Sequence, residues 1–207
     1  MTLDGLRSLA DRMAAPFVAG AKRAGLTPDA VSLLALLTAI GAGVSFYAAG
    51  ETRIAYLLGA ALVACNGLLD VIDGTLAREL DVSSSAGDLL DHVLDRYADI
   101  VIVAGLAAGI GEFALGFAAV TGVLMTSYLG TQTQAVGLDR VYGGLLGRAD
   151  RLVLVSLVTA VAAFVDSTVQ GLSSVGWLLV IFAVVGHLTA LQRFYYARRD
   201  LNRNGPL

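Results

Sequence analysis

Apolar residues in this chain come in long continuous runs broken by short polar segments, and most runs are long enough to cross a bilayer as a helix. Residues 30–49 form the first run, Glu51-Thr52-Arg53 a tight turn, and a second run extends from about Ile54 to Asp70. The polar residues Glu79 to Ser85 read as a loop, with Ser85 and Asp88 placed to cap the next helix. Further runs cover residues 89–109, 113–134, 152–164 and 177–194, the fifth being short unless residues 165–170 continue it. No alternating polar pattern supports a β-barrel, so the spans are helical. The expected fold is all-α: a polytopic integral membrane protein with six transmembrane helices, or five if one run fails to cross.

Ahead of these runs, Leu3, Leu6, Leu9, Met13 and Phe17 recur at helical spacing between Asp4, Arg7, Asp11 and Arg12. That pattern predicts an N-terminal amphipathic helix within residues 1–24, lying in the membrane interface or packed on the bundle. No apolar core follows the first charges, which argues against a signal peptide. Thr27-Pro28-Asp29 supplies a capping residue and a first-turn proline for the helix that follows. A single domain is expected: the interfacial helix to residue 24, a six-helix bundle over 30–194 and a cytoplasmic tail over 195–207.

Composition agrees with the pattern, since the 207 residues are 57% hydrophobic with a mean hydropathy of +0.74. The lone Cys65 lies inside an apolar run, which excludes a disulfide framework or soft-metal site and suggests core packing. With six spans, the N-terminal segment, the 79–85 loop, the 135–151 loop and the tail share one side. That side holds every Lys and Arg except Arg53. The excess of basic residues puts it in the cytoplasm of a multi-pass plasma-membrane protein, with both termini and the chemistry facing the cytosol.

The chemistry concentrates in residues 70–95. A carboxylate beside hydrocarbon must be paired, hydrated or metal-bound. Asp70 and Asp73 are three apart, and Asp91 and Asp95 four apart, so on helices each pair shares a face. Four converging acids form a hard, oxygen-rich site suited to Mg²⁺, Mn²⁺ or Ca²⁺, with positions left for substrate phosphates. Gly74 has no side chain to hold a phosphate off the backbone, and Gly87 lets the second helix begin close against the first.

The pattern D-x-x-D-G-x-x-A-R, eight residues, then G-x-x-x-D-x-x-x-D resembles the signature of the CDP-alcohol phosphotransferase family, with Asp70, Asp73, Gly74, Ala77, Arg78, Gly87, Asp91 and Asp95 at its fixed positions. The resemblance implies a membrane enzyme of phospholipid synthesis. A CDP-linked lipid would give its phosphatidyl- or archaetidyl-type group to a water-soluble polar alcohol, and CMP would leave. It further implies divalent ions, two Mg²⁺ or Mn²⁺, on Asp70, Asp73, Asp91 and Asp95, with Asp95 also the general base. Arg78 would contact the pyrophosphate or pair with Glu79, and Thr27, Pro28 and Ser32 would enclose the cytidine or simply cap their helix. The family forms homodimers within the lipid; no nucleic acid is expected among the partners.

Arg148, Arg151 and Arg193 resemble the basic residues of members whose acceptor is phosphorylated, and the planar guanidinium suits a phosphate. The rival reading makes them cytoplasmic anchors. In the inositol-phosphate enzymes a Lys or Arg follows a Ser-Tyr pair late in the fourth helix. Here Ser127-Tyr128 is followed by Leu129 to Gln134, all neutral. Glycerol phosphate is therefore the expected acceptor and inositol phosphate the alternative; a cation transporter using the acids is the rival from another class. His187 reads as a hydrogen-bonded core residue, and Asp99 has no assigned role. Gly105 and Gly109 permit close helix packing, inside one subunit or across a dimer.

Overall fold

The computed structural model describes residues 7–139 and 145–204. The predicted helix positions Leu3, Asp4 and Leu6, part of the 135–151 loop and the last three tail residues lie outside it. Among the described residues the chain forms seven helices: α1 (Arg7–Arg23), α2 (Pro28–Ala48), α3 (Ala55–Glu79), α4 (Ser85–Gly109), α5 (Phe113–Ala135), α6 (Arg148–Ala162) and α7 (Ser174–Asn204). A two-residue hairpin, β1 (Thr168–Val169) with β2 (Leu172–Ser173), joins α6 to α7. Residues 165–170 therefore do not extend the fifth run.

Six helices close into a ring, α3-α2-α4-α5-α7-α6 and back to α3, and α1 packs on the outside of α3. The core includes Phe46, Val63, Ile102, Leu106, Val123, Val155, Leu179 and Phe182. A smaller cluster, Ala14, Val18, Val31, Ile72 and Leu76, ties α1 to the ends of α2 and α3. Large apolar side chains such as Leu37, Val44, Leu58, Phe117, Leu157 and Leu188 face outward, as a surface bathed by lipid requires. Cys65 is among the exposed residues, contrary to the core position expected. A helix that is apolar all round does not reveal which face is inside.

Four helices, α2, α3, α5 and the segment Ser174–Arg203 of α7, are long and apolar enough to cross a membrane. The protein is thus a multi-pass helical membrane protein. The 15 residues of α6 rise only about 22 Å at 1.5 Å per residue. The first four turns of α4 carry Asp88, Asp91, Asp95, Arg96 and Asp99.

Glycine decides how α4 meets α2. A Cβ on Gly43 would lie 2.7 Å from the Val101 carbonyl oxygen. On Gly105 it would collide with the Gly43 backbone, and on Gly109 with the Phe46 carbonyl. Gly105 and Gly109 thus serve packing within one chain. Gly87 does not press against α3: a Cβ there would meet Ser84 Oγ at 3.4 Å and Asp29 Oδ1 at 3.7 Å, ordinary contacts. Its backbone N–H instead donates to Ser84 Oγ at 3.1 Å. Ser84, rather than Ser85, caps α4, because its extended backbone turns the hydroxyl back onto the first turn.

Candidate functional site

Both acidic pairs come to one cleft at the end of the ring where α3 and α4 are joined. The cleft is narrow and is lined by Ser32, Asn66, Asp70, Asp73, Asp91, Asp95 and Arg148, among others. Helical spacing turns Asp91 and Asp95 to the same side of α4, while the close α2–α4 contact brings that side toward α3. Asp70, Asp91 and Asp95 each offer an oxygen, and the three lie within 4.8 Å of one another. Oxygen donors this close suit a hard divalent cation. Asp73 lines the same cleft, but its Oδ2 accepts a 2.7 Å hydrogen bond from the Ser32 hydroxyl.

Arg148 reaches this group from the first turn of α6. Its Nη1 donates to Asp70 Oδ1 at 2.5 Å, and its Nη2 lies 2.7 Å from Asp95 Oδ1 and 3.4 Å from Asn66 Oδ1. The turn that starts α6 is held by Asp150, whose Oδ2 accepts from the Gly147 N–H at 2.8 Å. Arg151, three residues on, lies buried and donates from Nη2 to Asp99 Oδ2 at 2.8 Å. Arg96 lies 3.6 Å from Asp95 and 3.7 Å from Asp99. Five carboxylates, at positions 70, 73, 91, 95 and 99, thus share the region with guanidiniums 96, 148 and 151.

The remaining predicted residues divide. Thr27 caps α2 by accepting from the Ala30 N–H at 3.2 Å, and Pro28 sits in the first helical turn. Arg78 is exposed and donates to Thr75 Oγ1 at 3.0 Å, while Glu79 pairs with Lys22 at 3.7 Å. Gly74 is half-buried with only Arg78 Nη1 near its absent Cβ, at 3.6 Å, and the Ala77 carbonyl accepts from the Val82 N–H. Buried Arg193 donates to the Thr126 carbonyl at 2.7 Å, between α7 and α5. Neither an alignment of charges nor a motif pointed to Asn66. An amide one turn before Asp70 in an apolar run was the available signal, and it is fully buried, donating to the Ala35 carbonyl at 2.8 Å.

Residues 25–188 match the family model described as CDP-alcohol phosphatidyltransferase. The chain belongs to that family. It is a transferase of phosphate-containing groups and an enzyme of phospholipid synthesis. Among its relatives, the phosphatidylinositol phosphate synthase of Streptomyces avermitilis is 31% identical over 94% of this chain and 81% of its own length. The archaetidylinositol phosphate synthase of Methanothermobacter thermautotrophicus is 30% identical over 87% of this chain and 88% of its own length. The phosphatidylinositol phosphate synthase of Mycobacterium tuberculosis, solved with CDP-DAG bound, superposes with a TM-score of 0.75 at 26% identity, covering 90% of this chain and 94% of that one. A second structure of that enzyme is in complex with manganese and citrate. These relatives favour the inositol-phosphate alternative over the glycerol phosphate expected from the neutral end of α5.

Proposed function

We propose that this CDP-alcohol phosphatidyltransferase joins inositol phosphate to a phosphatidyl- or archaetidyl-type group taken from a CDP-linked lipid. The observation that carries this reading is the meeting of Asp70, Asp91 and Asp95 with the Arg148 guanidinium at one end of the ring, with Arg151 paired to Asp99 one turn farther along α4. Relatives 30–31% identical and named for inositol phosphate products support the acceptor. The neutral α5 end argued for glycerol phosphate because two basic groups were missing there; guanidiniums from α4 and α6 stand at the site instead.

In this reading Asp70, Asp91 and Asp95, with Asp73 steadied by Ser32, hold one or two Mg²⁺ or Mn²⁺ ions. Bound there, such ions would neutralise the pyrophosphate oxygens and keep attacking and leaving oxygens in line. Asp95 takes the proton of the acceptor hydroxyl as its oxygen bonds to the phosphorus nearer the lipid. The bond from that phosphorus to the oxygen bridging to CMP breaks, and CMP departs with the electron pair. Arg148, Arg151 and Arg193 receive the acceptor's own phosphate, Arg78 and Gly74 meet the pyrophosphate, and Thr27, Pro28 and Ser32 border the nucleotide.

All six ring helices would cross the bilayer with the site toward the cytosol, where the basic residues gather, and two copies would pair within the lipid. The test is direct. Purified protein in lipid, given CDP-diacylglycerol and Mn²⁺, is offered inositol phosphate, glycerol phosphate, serine and free inositol separately, with products read by mass. Inositol phosphate should give the dominant product and CMP. Product from glycerol phosphate alone, or CMP release from none, would overturn the reading.

A further inference from the structure

Asp99 is a buried acid to which the chemistry above gives no task. It lies one helical turn beyond Asp95 on α4, only 4% exposed, against α6. Its Oδ2 accepts from Arg151 Nη2 at 2.8 Å and lies 3.7 Å from Arg96 Nε, while its Oδ1 lies 3.8 Å from Arg148 Nε. One carboxylate therefore stands among three guanidiniums but forms a short hydrogen bond with just one of them. Arg96 Nε and Arg148 Nε are buried and have no hydrogen-bond partner among the described residues. A buried N–H left without a partner is costly, so two such groups, each within 4 Å of a different oxygen of Asp99, mark a place where an acceptor of hydrogen bonds is wanted.

Charge supports the same conclusion. Asp70 and Asp95 engage Arg148, and Asp95 also lies near Arg96. Once cations neutralise those two acids, Asp99 is the remaining negative partner of Arg96, Arg148 and Arg151, and this corner becomes net positive. A guanidinium is a planar fork with five N–H groups, and a carboxylate that fixes one edge sets the direction of the others. Arg151 without its partner would have a long side chain with several rotamers and no defined fork.

We propose that Asp99 is a positioning residue that aims Arg151 and its neighbouring guanidiniums at the phosphate of the acceptor alcohol, and so sets the preference for a phosphorylated acceptor. The proposal rests on the acceptor reading above. Its rival is that Asp99 merely neutralises buried Arg151 to keep the helices together. That rival predicts lost stability or a general loss of activity, with no selective effect on one substrate.

The experiment is a KM-against-kcat comparison of wild type, Asp99→Asn and Asp99→Glu in lipid, varying inositol phosphate and CDP-diacylglycerol in turn. KM for inositol phosphate should rise at least about tenfold in Asp99→Asn, in the range that loss of an outer-sphere partner costs. KM for the CDP-lipid and kcat at saturating acceptor should stay within about threefold, with Asp99→Glu between the two enzymes. Equal changes in both KM values, or a fall in kcat alone, would overturn the proposal. Should Asp99→Asn fail to fold, Arg151→Lys decides, since it keeps the charge and removes the fork: an unchanged acceptor KM there refutes positioning. If the wild type rejects inositol phosphate, the acceptor reading falls, and the same comparison with the phosphorylated acceptor it does use still tests Asp99. A wild type that accepts only unphosphorylated alcohols overturns both.

Discussion

Arg148→Gln separates the two cations that the acidic cleft can recruit, a guanidinium and a divalent metal. Arg148 sits 2.5 Å from Asp70 Oδ1 and 2.7 Å from Asp95 Oδ1, and its side chain is 14% exposed. The cleft and the floor beneath it hold five carboxylates against three guanidiniums, and the substitution widens that deficit by one charge. Breaking a buried ion pair costs about 3–5 kcal/mol, because the surviving charges stay buried. Asp70 is 34% exposed, so water screens part of the loss and the low end, about 3 kcal/mol, is expected. Unfolding would be followed by heat in detergent micelles, first with a chelator and then with saturating Mn²⁺. With chelator, the variant should unfold about 6–12 °C below wild type, at about 2–4 °C per kcal/mol for a chain of this size. Mn²⁺ should stabilise the variant more than the wild type, since it supplies the charge that Arg148 no longer does. An Mn²⁺-induced shift equal in the two proteins would refute the idea that Arg148 and the metal neutralise the same oxygens.

Asp91→Asn removes one of the three converging ligands and should cut CMP release by more than the ~10–100-fold that an outer-sphere change costs; CMP release close to the wild-type rate would count against the cluster as the metal site. Ser32→Ala takes away the 2.7 Å hydrogen bond to Asp73, worth about 1.5–3 kcal/mol for a charged acceptor. The Mn²⁺ concentration for half-maximal activity should then rise about tenfold or more, and an unchanged Mn²⁺ titration would separate Asp73 from metal binding. Gly105→Ala forces a methyl into the Gly43 backbone and should destabilise by about 1–3 kcal/mol. Gly87→Ala, whose nearest neighbour stands at 3.4 Å, should melt within about 1 °C of wild type; similar melting of both variants would contradict the close α2–α4 contact.

The run lengths determined the number and order of helices, because an apolar run of bilayer length has few alternatives to a helix, and the predicted runs match α2 to α7 within a few residues in most cases. Two ends moved. The helix of the second run, α3, continues through the motif to Glu79, and α7 extends to Asn204, since turn and polar residues permit a helix to continue when the backbone has partners. The acidic spacing was equally legible: carboxylates three and four apart must share a helical face, and their cost in apolar surroundings marks them as functional.

Which of those faces meet was a tertiary decision. Glycine contacts between α2 and α4 set the register that brings Asp91 and Asp95 to Asp70, while Ser32 on α2 takes Asp73. Arg148 and Arg151 arrive from α6, 50 or more residues beyond the acids in most of their pairings, and no local pattern records that they close on Asp70, Asp95 and Asp99. The neutral end of α5 pointed to glycerol phosphate, whereas the relatives favour inositol phosphate, and the guanidiniums beside the acids come from α4 and α6. Cys65 was misplaced because a helix in lipid can be apolar on every side, so hydrophobicity cannot tell a packed face from a lipid-facing one. Sequence determined what each helix is and which residues it carries; packing decided what each of those residues faces, because helix rotation is set by small backbone contacts between elements distant in the chain.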